Sequence, residues 1–136
     1  MKRLLAQIAK SNRYVKEAPL EAVDIIKTQK KLVQQGYPFL PAEFIDFLKC
    51  HNGLSASDSV VLGIPPLENE NLNILTFNQN YNTLANTAIL GYDDMSYLLF
   101  DNLKQRYMLI DRTSFDIIEV YLSDELVYAI NSILHF

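Results

Sequence analysis

Two histidines, one cysteine and sixteen carboxylates are the side chains with which this 136-residue chain would have to do chemistry. Cys50 and His51 adjoin within a helical pattern, so their side chains diverge by roughly 100°. That puts them outside the hydrogen-bond reach a nucleophile and its base require. A packed helix surface accounts for both residues, given how often cysteine is buried. His135 is the penultimate residue, where an imidazole complements a helix C-terminus. No His or Cys pair has zinc-ligand spacing. Asp93-Asp94, and Asp111 with Asp116, offer hard oxygen ligands, but the first pair reads as a turn and neither belongs to an ordered calcium-loop series. Gly36, Gly53, Gly63 and Gly91 lie ten or more residues apart, which excludes a P-loop and a dinucleotide fingerprint. The residues therefore predict no catalytic group, no metal and no cofactor. A hydrolase built on two facing carboxylates is a separate class, which a cleft holding two such acids would reveal.

The charge is unevenly spread. Residues 1–31 hold eight Lys/Arg against three Asp/Glu, a net +5, whereas residues 32–136 hold four against thirteen, a net −9. The acidic remainder would repel phosphates, so nucleic acid is not the expected partner and the basic segment reads as a solvated helix face. A single cysteine rules out an internal disulfide and suits a reducing compartment. Leu4 to Ala9 is too short and too polar for a signal-peptide core, and no stretch approaches a membrane span. The expectation is a cytoplasmic protein without membrane attachment. Its length fits one domain, residues 1–136, and the sequence leaves the oligomeric state open.

The elements that must position these residues follow from periodicity. Leu4, Leu5, Ile8 and Val15 predict an amphipathic helix over about residues 2–16. A second helix opens at Pro19, with Val23, Ile26 and Val33 as its inner stripe, and stops at Gly36. These two make up an N-terminal helical region, 1–36. A third starts at Pro41, buries Phe44, Phe47, Leu48 and His51, and ends at Asn52-Gly53. Ser59–Ile64 reads as a strand cut off by Pro65-Pro66. Residues 68–87 are rich in Asn and Gln, with Ile74, Phe77, Tyr81 and Leu84 at near-helical spacing, and read either as a short helix or as a long irregular excursion. Residues 88–92, 97–101, 106–112 and 117–122 then form strand after strand, too closely spaced for crossover helices, hence antiparallel. Ser123 is expected to cap a last helix whose buried stripe is Leu126, Val127, Ile130, Ile133 and Leu134. The fold class predicted is α+β, a mostly antiparallel sheet of about five strands packed against N-terminal, central and C-terminal helices.

Alternation places Leu98, Phe100, Met108, Ile110, Ile118 and Val120 on one sheet face. The other carries Tyr97, Leu99, Tyr107, Leu109, Glu119 and Tyr121. This second face is either covered by a helix or open. If open, tyrosines among carboxylates make a protein-binding surface that draws in a basic partner. The partner-binding residues expected on this reading are Tyr92, Asp93, Asp94, Tyr97, Asp101, Tyr107, Asp111, Asp116, Glu119 and Tyr121.

The motif Tyr37-Pro38-Phe39-Leu40-Pro41, followed by Phe44, Phe47-Leu48 and Asn52-Gly53, resembles the opening of the SUKH superfamily, which includes fungal cell-wall-assembly regulators. Ile89-Leu90-Gly91-Tyr92, Leu109-Ile110-Asp111-Arg112 and Phe115-Asp116 continue the likeness and are most similar to its bacterial YrhA-like branch. The resemblance spans about residues 37–134. It departs at Gly91-Tyr92-Asp93-Asp94-Met95, where related domains often carry further glycines, so a different local turn is expected. It implies an α+β fold without shared catalytic residues. It also implies a non-enzymatic role: an immunity protein that neutralises a bacterial toxin, many of which are nucleases, or alternatively a regulatory scaffold without a toxin partner.

Overall fold

The computed structural model describes residues 1–16, 20–65, 67 and 69–136, with Lys16 described by its backbone alone. Pro19 and Pro66, expected to open a helix and to end a strand, lie outside the described residues. Among those described, five helices and seven strands occur in the order α1 (Lys2–Lys10), β1 (Val15–Lys16), α2 (Ala22–Gln34), α3 (Ala42–Cys50), β2 (Leu54–Ser55), β3 (Ser59–Val61), α4 (Ile74–Tyr81), β4 (Thr87–Asp93), β5 (Ser96–Asp101), β6 (Arg106–Asp111), β7 (Ile117–Leu122) and α5 (Leu126–Leu134). The strands form one sheet in sequence order, each antiparallel to the next. The α+β class and the antiparallel pairing are as the sequence predicts, and β1 and β2 extend the expected five strands at one edge. No helix among the described residues is long and apolar enough to cross a membrane.

Both faces of the central strands are covered. On one face α5 runs across β3 to β7. Tyr14 donates its hydroxyl hydrogen to the Leu134 carbonyl at 2.8 Å and lies 2.9 Å from the Ser59 hydroxyl, fixing the end of α5 to β3. On the other face Phe77 of α4 stacks on Tyr92 at 4.5 Å and meets Tyr97 edge-on at 6.1 Å. Leu98, Leu99, Phe100, Tyr107, Met108 and Ile110 are all buried. Over β4 to β6, then, the second face is an interior one.

The asparagines of 68–87 have structural work. Asn73 caps α4 by accepting from the amides of Leu75 and Thr76. Where β3 stops, the Asn78 side chain takes its place against β4, accepting from the Ile89 amide at 2.7 Å and donating to the Ile89 carbonyl at 3.0 Å. Asn52 does the same for Ile64, at 2.7 and 2.9 Å. A primary amide presents a donor and an acceptor side by side and so substitutes for one residue of a neighbouring strand. Gly91 lies beside the register shift in β4, where a Cβ would come within 2.7 Å of the Val60 carbonyl oxygen.

Five expectations are corrected. The first helix ends at Lys10, because the Ser11 hydroxyl accepts from the Arg13 amide and turns the chain into β1; Val15 is an exposed strand residue. In α2 the inner stripe is Ile25, Thr28 and Leu32, whereas Val23, Ile26 and Val33 are exposed. α3 ends at Cys50, which is exposed, and His51 is its C-cap, with its ring 6.4 Å from that of Phe47. α5 begins at Leu126, since Glu125 folds back to accept from the Leu122 amide at 2.7 Å. Finally, the faces of β5 are exchanged. Tyr97 lies opposite Ile110, Leu99 opposite Met108 and Phe100 opposite Tyr107, so Tyr97 and Leu99 share a face with Met108 and Ile110. The cause is the four-residue turn Asn102–Gln105, which pairs Asp101 with Arg106 and shifts the phase by one residue. The phase of β6 against β7 is as expected from Tyr107 to Leu109, with Met108 opposite Val120 and Tyr107 opposite Tyr121, but a register shift between Leu109 and Ile110 sets Ile117, not Ile118, opposite Ile110.

Candidate partner-binding surface

In an antiparallel meander every second turn falls at the same end of the sheet. The β2–β3, β4–β5 and β6–β7 turns therefore gather Asp58, Asp93, Asp94, Asp111 and Asp116 at one end. The turns are joined directly, for the Arg112 amide donates to the Met95 carbonyl at 2.9 Å. Two of the aspartates build the turns. Asp93 Oδ1 accepts from the amides of Met95 and Ser96, which makes the β4–β5 turn without a further glycine. Asp111 Oδ1 accepts from Thr113 and Ser114, and these backbone donors hold its carboxyl below the usual carboxylate range. Phe115 completes the second turn in the left-handed region at φ 61°. Asp94 and Asp116 are exposed.

The basic side chains near this end are engaged with particular partners. Arg13 pairs with Asp58 at 2.7 Å and lowers its pKa. Arg112 donates to the Asp93 carbonyl at 2.8 Å, with its guanidinium 5.3 Å from the Tyr92 ring centre and 5.0 Å from that of Tyr97. His135 Nε2 lies 3.3 Å from Asp93 Oδ2, beside a shallow depression of about 330 Å³ that also takes in Asp58 and Asp94. Among the described residues no group of three or more His, Cys, Asp or Glu is placed to hold a metal ion.

The ten residues expected to bind a partner separate into three sets. Tyr97, Asp101 and Tyr107 are buried. Tyr97 belongs to the Phe77–Arg112 cluster, and Asp101 pairs with Arg106 at 3.1 Å. The Tyr107 hydroxyl faces Glu43 at 3.5 Å, burial and that carboxylate raising its pKa. Tyr92, Asp93, Asp111 and Tyr121 are half-buried. Tyr92 donates to the Asn71 carbonyl at 3.0 Å, and burial raises its phenol pKa. Asp94, Asp116 and Glu119 are exposed and lie in or beside the turns and β7. The four tyrosines do not form one open face: Tyr92 and Tyr97 look towards α4, Tyr107 and Tyr121 the opposite way.

What residue type alone did not single out is β7 itself. Ile117, Ile118, Val120 and Leu122 are 55, 52, 36 and 62% exposed, and among the described residues no strand pairs with the far side of β7. Residues 113–125 carry Asp116, Glu119, Asp124 and Glu125 and no Lys or Arg. An apolar strand framed by carboxylates thus continues the acidic end along one edge of the sheet. The sequence signal for it was order: β7 is the last strand of a meander and precedes a helix, so it has only one neighbour. No family model matches the chain, and no curated protein sequence matches it.

Proposed function

We propose that this chain is a SUKH-like, non-enzymatic protein-binding domain. Its role is that of an immunity protein that neutralises a bacterial toxin, a basic nuclease domain being the toxin chemistry its charge fits best. The observation that carries the reading is the acidic end of the sheet with its continuation along β7, where exposed apolar side chains sit among carboxylates. Contiguous exposed apolar surface rimmed by charge is the usual mark of a protein interface. Complementary charge accelerates encounter with a basic partner and rejects acidic ones. An exposed free thiol at Cys50 suits action in the reducing cytoplasm.

The test is co-purification with candidate toxin domains encoded by neighbouring genes, at low and high ionic strength, with toxin activity as a second readout. The expected result is a complex that weakens as salt rises and in which the toxin is inactive. A partner indifferent to salt, or one held through α1 and α2 alone, would contradict the reading.

A further inference from the structure

We propose that β7 receives an extended segment of the partner by strand addition, the added strand alternating apolar residues with Lys or Arg. This rests on the binding role proposed above and specifies the partner and the mode.

The direction of the β7 backbone follows from its two ends. At the hairpin the Asp111 amide donates to the Asp116 carbonyl at 2.9 Å, so Asp111 faces β7. The register shift beside Leu109 puts its extra residue on β7, so hydrogen-bonding direction alternates without interruption along β6, and Leu109 and Tyr107 face β7 as well, opposite Glu119 and Tyr121. Val120 and Leu122 then point their main-chain groups away from β6. At the far end Leu122 bears this out: its amide donates to Glu125 Oε1 at 2.7 Å and its carbonyl accepts from the Glu125 amide at 2.9 Å. Glu125 closes the edge at Leu122, and Val120 is left as the residue whose amide and carbonyl a new strand would meet.

Side chains state what that strand must be. Val120 and Leu122 project to the face of Met108, and Glu119 and Tyr121 to the opposite face. Residues opposite one another on paired strands share a face. An incoming strand therefore places apolar residues beside Val120 and Leu122 and a cation beside Glu119, in strict alternation. The same charge argues against a second copy of this chain. Pairing β7 with itself would bring two Glu119 carboxylates and the flanking Asp116 and Asp124 groups together with no cation between residues 113 and 125.

The probe is a short capped peptide in which valines alternate with lysines, titrated onto the full chain by fluorescence anisotropy. Sedimentation of the chain alone is run in parallel. The alternating peptide is expected to bind, and N-methylation of the amides that would face β7 is expected to weaken it about tenfold or more, as lost inter-strand hydrogen bonds do. Val120→Pro should weaken it similarly, proline being tolerated on an edge strand while removing the donor. Glu119→Lys should weaken the lysine peptide about tenfold and favour its glutamate counterpart. Equal binding of methylated, unmethylated and shuffled lysine peptides would overturn strand addition while leaving the charge-guided binding role standing. Failure of every basic peptide to bind would overturn both. A dimer of the chain alone that Val120→Pro dissolves would make a second copy the occupant and overturn the proposal.

Discussion

The sheet has two edges, and they are treated differently. β1 is two residues long, its neighbour Tyr14 is anchored to Ser59 and Leu134, and Arg13 beside it is engaged by Asp58 and the Leu134 carbonyl. A short, tethered strand offers little to an approaching backbone, which is how natural sheets avoid unwanted pairing. β7 is six residues long, with four apolar side chains exposed and its main chain closed only at Leu122. Interior strand ends in the same molecule are sealed more carefully still, by the amides of Asn52 and Asn78. Two interior strand ends are thus sealed while the six-residue edge is apolar and framed by acid, the contrast on which the strand-addition proposal rests.

The largest effect expected from testing this contrast comes from one substitution made in two places. Leu99→Ala on β5, where the side chain is 1% exposed, should lower unfolding stability by about 2–5 kcal/mol. Leu122→Ala on β7 should stay within about 0.5 kcal/mol. Urea denaturation of the pair measures both. A comparable loss at Leu122 would mean that β7 is a structural strand and its exposure is not spare.

Asn78→Ala comes next. It leaves the amide and carbonyl of Ile89 without partners in a buried setting and should cost about 1–3 kcal/mol for each group that water fails to reach. Amide exchange at Ile89 should quicken ahead of the rest of β4. If Ile89 stays protected, something other than the asparagine seals that strand end.

The smallest effect concerns the turn that feeds β7. The folded-state pKa of Asp111 lies below its unfolded value, so its contribution is present at neutral pH and is lost as pH falls through the lowered folded value. Asp111→Asn keeps the turn's acceptor and removes the charge. The stability difference between the two proteins should be constant above about pH 5 and shrink as pH falls further. A difference that grows on acidification would reverse the sign and remove Asp111 as the turn's electrostatic anchor.

Much of this fold was legible because its signals are local. The strands from β4 to β7 stand within a residue or so of where alternation and turn residues place them, and Gly36, directly after the cap of α2, takes the positive φ expected of a helix-ending glycine. What was illegible depends on relations between elements. The four-residue turn before Arg106 sets the phase of β5 against β6, and a turn one residue different would return Tyr97 to the side of Tyr107. In α2, Val23-Ile26-Val33 and Ile25-Thr28-Leu32 are both helical stripes, and only the position of the neighbouring core selects the second. The candidate site divides in the same way. Aspartates in turns were readable from residue type, and their gathering at one end follows from the meander. Burial of Tyr97, Asp101 and Tyr107 was not readable, because a tyrosine or aspartate in a strand looks the same whether a helix covers it or not.

Whether β7 is the working edge is decided by backbone amide mapping. The chain, labelled with nitrogen-15, is titrated with the alternating valine–lysine peptide while amide shifts and exchange rates are followed. Strand addition at β7 should shift Glu119, Val120, Tyr121 and Leu122 together and protect the Val120 amide from exchange. Shifts confined to α1 and α2, with Val120 exchanging as freely as before, would contradict it.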